Sequence, residues 1–274
     1  MPELPEVETV SRTLRQLVIG KTIATVDVLW ANIIKKPDDV EQFKLHLIGQ
    51  TIHEVNRRGK FLLFVLDDIT MVSHLRMEGR YGLFQREVML TPHTHVIFSF
   101  TDGTQLRYQD VRKFGTMHIF EKGTEEKTMP LSQLGVEPFS PEFTIELMER
   151  SFKNTTRNIK VVLLDQKTVV GLGNIYVDEA LFKAGIHPER QASSLSNTEL
   201  TRLHNAIITT LQEAVDLGGS SIKSYVNGQG EMGMFQQQLT VYGRKGEPCV
   251  QCGAEITKKV VGGRGTHFCI NCQK

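Results

Sequence analysis

Val7, Val10, Leu14 and Leu17 recur at the three- and four-residue spacing of one helical face, with Pro5 at the start of the run and Gly20 at its end. The chain therefore opens with an amphipathic helix. The period then changes. Apolar runs at Thr22–Trp30, Thr51–Val55, Phe61–Leu66, Thr70–Leu75, His95–Phe100, Gln105–Tyr108 and Met117–Phe120 read as strands, and Asp102-Gly103 marks a hairpin between two of them. Short strands at this spacing predict an antiparallel β-sandwich. From Glu121 to Glu142 the sequence turns charged and carries Pro130, Pro138 and Pro141, as an interdomain linker would.

Helical periodicity returns beyond the linker. Gly171-Leu172-Gly173-Asn174 precedes a helix over Ile175 to Ala184, with Asn174 expected as its N-cap. Ser196 and Glu199 form a capping box ahead of Leu200, Leu203, Ile207, Leu211 and Val215, and Gly218-Gly219 ends that helix. Residues 219–237 are polar, glycine-rich and aperiodic, which fits either a binding loop or a disordered one. The expected class is α+β and multidomain: a sandwich with its N-terminal helix over residues 1–130, a linker over 131–142, a helical domain over 143–237 and a separate C-terminal module over 238–274.

Composition adds little to this picture. With 40% hydrophobic and 23% charged residues the chain has ordinary globular chemistry, and 32 basic against 31 acidic residues leave a net charge of only +1. No apolar run reaches the roughly 18 residues of a membrane span, and no signal-peptide order opens the chain, so a cytoplasmic location is expected. Charge is unevenly placed, however. Residues 241–274 hold Arg244, Lys245, Lys258, Lys259, Arg264 and Lys274 against Glu247 and Glu255, six minus two, or +4.

That tail also holds all four cysteines. Cys249, Cys252, Cys269 and Cys272 form C-x2-C-x16-C-x2-C, the spacing of a four-thiolate zinc site. Two disulfides are the alternative, which a reducing compartment disfavours. Four thiolates leave no open coordination position, so the expected zinc is single and structural. Between the pairs, Thr257 to Val261 reads as a strand, Gly262-Gly263-Arg264-Gly265 as a turn and Thr266-His267-Phe268 as the return strand. A zinc-stapled hairpin would hold Arg264 at its tip, where it could grip a phosphate or simply face solvent.

Three further clusters carry chemistry. Pro2 is small enough for Met1 to be trimmed, which would leave a secondary amine as a nucleophile, with Glu3 beside it as a proton donor. Pro5, Glu6 and Glu8 also suit a plain helix start. Arg57-Arg58-Gly59-Lys60 forms a basic cluster at a strand boundary, with His74, Arg76 and Arg80 to add to it. In Asp110-Val111-Arg112-Lys113-Phe114-Gly115 an aromatic ring sits between cations and glycine, as a wedge between bases would, although a phenylalanine tucked under a loop has the same spelling. The glycines before Asn174 would let a helix N-terminus approach a phosphate.

Taken in order along the whole chain, Pro2-Glu3-Leu4-Pro5-Glu6-Val7-Glu8, His74-Leu75-Arg76-Met77, Asp110 to Gly115, Gly171 to Tyr176 and the cysteine hairpin resemble the bacterial formamidopyrimidine-DNA glycosylases. The resemblance implies a β-sandwich, a helix-two-turns-helix domain and a zinc finger acting on double-stranded DNA that contains oxidised purines or abasic sites. It implies a monomer that excises 8-oxoguanine and formamidopyrimidines by base flipping and then cuts the strand by β,δ-elimination. In that reading Pro2 is the nucleophile, Glu3 protonates the deoxyribose ring oxygen and Glu6 supports the site. Lys60, Asn174 and Arg264 clamp phosphates, with His74 and Lys160 as weaker candidates. Met77, Arg112 and Phe114 fill the space the base leaves, and Ser220, Ser221, Ile222 and Tyr225 lie in a loop that closes over the flipped base. The endonuclease VIII branch, which removes oxidised pyrimidines, typically begins Pro-Glu-Gly-Pro-Glu, so Leu4 and Glu6-Val7-Glu8 favour the purine branch. A non-enzymatic zinc-bearing DNA-binding protein would explain the cysteines but not Pro2, Glu3 and the wedge together.

Overall fold

The computed structural model describes residues 1–220 and 233–274. They form two compact units. The first contains Met1–Pro2, Glu6–Gln133, Ser220 and Gly233, and the second Glu3–Pro5, Leu134–Gly219 and Met234–Lys274.

The first unit is the expected sandwich. Helix α1 (Leu4–Val18) enters it at Glu6, and its Val7, Val10 and Leu14 are buried in one core with residues of both sheets, among them Phe64, Val96, Phe98 and Leu106. One sheet has the order β1 (Ile23–Val28), β7 (Thr94–Phe100), β8 (Thr104–Gln109), β6 (Arg80–Gln85). The other runs β2 (Ile34–Lys36), β9 (Thr116–Glu121), β5 (Ile69–His74), β4 (Phe61–Val65), β3 (Glu54–Arg58). Every pairing is antiparallel except that of β2 with β9, which is parallel.

Strands β2 and β6 were not legible because neither carries an apolar alternation. β2 has three residues, while β6 opens on Arg80 and contains Gly82, its place being set by its partner through Tyr81 opposite Tyr108. Helix α2 (Val40–Leu47) was missed too, although Asp39 caps it through Gln42 N–H at 2.8 Å and Phe43 and Leu47 fill the core. β3 begins later than Thr51 and runs on through Arg57 and Arg58. Arg57 is thereby a strand residue bound to Glu8 of α1 at 3.0 Å.

In the second unit, helices α3 (Ile145–Phe152), α4 (Ile159–Leu164), α5 (Asn174–Ala184) and α6 (Asn197–Asp216) precede a hairpin of β10 (Thr257–Val261) and β11 (Arg264–Phe268). The capping box of Ser196 and Glu199 starts α6 as expected. The linker expected over 131–142 is shorter: Gly135 and Val136 donate to the carbonyls of Gln166 and Thr168, so the second unit already begins at Leu134. Glu179 of α5 has both carboxylate oxygens occupied by the 240–242 segment, accepting from the N–H groups of Thr240, Val241 and Tyr242 at 2.8–2.9 Å. Among the described residues no helix is long and apolar enough to cross a membrane.

Candidate active site

The residue after Pro2 is bound by the start of α5. Gly173 is the N-cap and offers no side chain, so the first N–H groups of the helix need an acceptor from elsewhere. Glu3 supplies it, accepting from Gly173 N–H at 2.6 Å, Ile175 N–H at 2.9 Å and Tyr176 N–H at 3.3 Å. Its side chain is buried, and Leu4 N–H donates to the Gly171 carbonyl at 3.1 Å. A methyl group on Gly173 would lie 2.3 Å from the Glu3 carboxyl carbon, so glycine at 173 is what admits the acid. Three backbone donors and a helix N-terminus favour the ionised carboxylate. The anion expected at this helix start from the glycines alone is therefore the protein's own. Asn174 is the first helical residue rather than the cap.

One end of the sandwich gathers the basic and wedge residues. Lys60 lies in the Gly59-Lys60 turn between β3 and β4 and is buried, while Phe61 pairs with His74 across β4 and β5, their rings edge to face at 4.5 Å. Arg76 N–H donates to His74 Nδ1 at 2.8 Å, which leaves the proton of a neutral ring on Nε2, as a hydrogen-bond donor. Burial, with the Arg76 and Lys60 charges adding to it, pushes the His74 imidazole down to about 3. Unfolded histidine titrates near 6.5, so below that pH the unfolded chain binds a proton the folded chain refuses. The stability tied to His74 is complete above pH 6.5 and falls as pH drops toward 3, by about 2 kcal/mol at pH 5. Urea unfolding at pH 7 and pH 5 should show that part of the loss removed in His74→Gln. An unchanged pH dependence would mean the ring does protonate in the folded state.

The loop after β8, the expected wedge, is organised by an acid. Asp110 is buried and accepts from Arg112 N–H at 3.0 Å and from Phe114 and Gly115 N–H at 2.9 Å each, with the Tyr108 hydroxyl at 3.3 Å. The loop turns around that carboxylate and leaves the Phe114 ring 51% exposed, with the Arg112 guanidinium 4.8 Å from its centre. Phe114 is thus not a residue packed beneath its loop. The Met77 loop meets the same hydroxyl: a Cβ on Gly79 would come within 2.2 Å of the Tyr108 oxygen, and one on Gly115 within 1.7 Å. Tyr108 thus brings Met77, half-buried, into the same corner as Arg112 and Phe114. Glu6 is buried in this unit too, accepting from Ser220 N–H at 2.7 Å and from its hydroxyl at 3.2 Å. Ser221, Ile222 and Tyr225 lie outside the described residues.

In the second unit the four cysteine sulfurs lie within 4.8 Å of one another, Cys249 and Cys272 at 3.9 Å and Cys252 and Cys269 at 3.5 Å. A disulfide needs about 2.05 Å, whereas sulfurs about 2.3 Å from a tetrahedral zinc are about 3.8 Å apart. The set fits one zinc ion with no open position, and it packs on Phe182, Val241 and Ile256. The hairpin turn is Gly262-Gly263, and Arg264 and Gly265 belong to β11 rather than to the turn. Arg264 faces Val261 across the last rung and is exposed.

Two expected phosphate ligands are otherwise engaged. Lys160 is fully buried, its ammonium 2.6 Å from Asp178 and 3.5 Å from the Gly265 carbonyl. Burial pulls that ammonium below its ordinary value, and Asp178 opposes the shift. Asn174 Nδ2 donates to the same carbonyl at 2.8 Å, and its Oδ1 is buried without a hydrogen bond. Both side chains, phosphate ligands in what the family resemblance implies, hold the Gly265 carbonyl in this structure.

Residues 1–117 match the family model of the formamidopyrimidine-DNA glycosylase N-terminal domain, and residues 134–226 match that of the formamidopyrimidine-DNA glycosylase H2TH domain. The chain belongs to the formamidopyrimidine-DNA glycosylase family. Residues 246–274 match the zinc finger found in FPG and IleRS, in agreement with the sulfur geometry. A formamidopyrimidine-DNA glycosylase of Cytobacillus firmus is 72% identical over 273 residues and one of Bacillus subtilis 62%, with at least 99% of each chain covered. Among solved structures, the Lactococcus lactis Fpg bound to DNA containing N7-benzyl-Fapy-dG is 43% identical, with a TM-score of 0.93 and full coverage of both chains. The same Lactococcus lactis protein bound to DNA with an abasic site gives 43% and 0.93 over 99% of each.

Within this glycosylase fold, Asp110, Asp178 and Glu179 escaped the sequence reading as site residues. Asp110 had a signal, an acid two residues before Arg112 able to close a turn on its N–H. Asp178 and Glu179 had none, since adjacent acids inside a helix look solvated until their neighbours are known.

Proposed function

We propose that the amine of Pro2, freed by removal of Met1, is the nucleophile of a bifunctional DNA glycosylase and that Glu3 is its proton carrier. The activity is base-excision repair of oxidised purines in duplex DNA, followed by strand cleavage. The observation that carries the residue assignment is the Glu3 carboxylate, buried and pinned by three N–H groups at α5, directly after Pro2 in the chain. Held as an anion, Glu3 has no proton to give at the outset. It first takes one from the Pro2 ammonium. The freed lone pair attacks C1′ of the damaged nucleotide, and the base leaves with the electron pair of its glycosidic bond. The adduct nitrogen gives its remaining proton to the departing base, and Glu3 returns the first to the ring oxygen as the sugar opens to a Schiff base. The iminium acidifies the C2′ hydrogens, and β- then δ-elimination expels the two phosphates.

Arg264, Lys60 and His74 act as phosphate ligands in this reading, His74 through a neutral Nε2–H. Arg112 and Phe114, on their acid-centred loop, and Met77 beside them occupy the gap left by the base. Glu6 holds Ser220 through its N–H and hydroxyl. Residues 1–130 then form the catalytic domain, the helical unit and the hairpin bind DNA, and the enzyme works in the cytoplasm as a monomer. A Lactococcus lactis Fpg has been crystallised with DNA containing an oxidised pyrimidine, which supports a lesion range wider than purines.

Borohydride added during reaction with a duplex carrying 8-oxoguanine should trap a covalent protein–DNA adduct whose peptide map ends at Pro2. An adduct at Lys60 would move the nucleophile there, and absence of any adduct alongside cleavage would reject Schiff-base chemistry.

A further inference from the structure

Zinc holds the base of the C-terminal hairpin, not its tip. Cys269 lies five residues beyond Arg264, about 16 Å along an extended strand. A two-stranded hairpin is marginally stable by itself, so the direction of Arg264 needs a second anchor.

The structure provides one on the edge of β11 that faces away from β10. The Gly265 carbonyl, next to Arg264, accepts from Asn174 Nδ2 at 2.8 Å and from Lys160 Nζ at 3.5 Å. Two residues on, His267 N–H donates to Asp178 Oδ2 at 2.8 Å. Asp178 Oδ1 accepts from Lys160 Nζ at 2.6 Å, and both side chains are fully buried. The turn itself rests on α4, since a Cβ on Gly262 would fall 2.4 Å from Val161 Cγ2. Gly262 has φ +55, a conformation glycine allows.

We propose that Lys160 and Asp178 are a positioning pair that stands in for a third strand on β11 and sets the direction in which Arg264 leaves the hairpin. The proposal rests on the reading of Arg264 as a phosphate ligand. A buried ion pair is seldom better for stability than apolar side chains of the same size. What the charges add is the hold on Gly265 and His267.

The test uses the full-length, zinc-loaded protein and a duplex containing a tetrahydrofuran abasic analogue. K160M/D178L should keep its zinc and its melting temperature but lose about tenfold or more in affinity. Adding Arg264→Ala to that variant should cost much less than Arg264→Ala alone, because an arginine already misdirected has little left to lose. Full affinity in K160M/D178L, or losses that simply add, would overturn the positioning role while leaving Arg264 as a ligand. No loss for Arg264→Ala in the otherwise unaltered protein would instead overturn the phosphate reading, and the proposal with it. If the double replacement unfolds, Asp178→Asn decides: it keeps the volume but weakens the grip on Lys160. Reduced affinity that is non-additive with Arg264→Ala supports the pair, and unaltered affinity with zinc retained overturns it.

Discussion

Glu3→Gln should slow excision of 8-oxoguanine by about 10²–10⁴-fold, the range over which a positioned proton carrier accelerates a reaction. The amide is nearly the same shape but cannot take the Pro2 proton or pass it to the ring oxygen. It also turns an NH2 group toward backbone donors, because Glu3 uses both oxygens on Gly173, Ile175 and Tyr176. One of those contacts becomes donor against donor, at about 1–3 kcal/mol. Cleavage at a preformed abasic site should suffer less, since part of that sugar is already open and the amine remains. Single-turnover rates on the two substrates separate these effects. Equal losses on both would show that Glu3 only builds the site, and an unchanged excision rate would remove it from proton transfer.

Cys269→Ser should be equally severe at a different step. A structural zinc site supplies about 10–16 kcal/mol of apparent binding free energy to its module, and three thiolates keep only part of it. Zinc should be lost, and with it the hairpin that carries Arg264. Affinity for lesion duplexes should fall at least about a hundredfold, equivalent to about 2.7 kcal/mol. The sulfur cluster packs on Phe182, Val241 and Ile256 within its own unit, so the sandwich should stay folded. Trp30, the single tryptophan, lies in the first unit with the Lys113 ammonium 4.0 Å from its ring, and its fluorescence reports on that unit alone. A zinc-free variant with unaltered DNA affinity would refute the role of the finger. Loss of the native Trp30 signal would show that the metal supports more than its own module.

Sequence and structure agree where chemistry is local. The cysteine spacing, the α1 stripe, the Ser196 capping box and the long apolar strands are each spelled by residues a few positions apart. Disagreement begins where a partner lies far along the chain. β6 alternates poorly because Tyr81 gains its register from Tyr108, and nothing near Lys160 in the sequence marks Asp178, on another helix, as its partner. Asn174 looked like a cap because nothing nearby revealed that an acid 170 residues earlier occupies the helix start. Phe114 stood out by residue type, but its exposure depends on Asp110 drawing three N–H groups inward, a burial that no periodicity signals.

Helix α5 meets Glu3 at its first turn, the Arg264 strand through Asp178 and the 240–242 segment through Glu179, all within 11 residues. In a machine, parts located one from another accumulate error, whereas parts located from a single datum do not. This helix serves as such a datum. When it shifts, Glu3 and the strand bearing Arg264 shift with it, and their spacing is preserved without the whole protein having to be stiff.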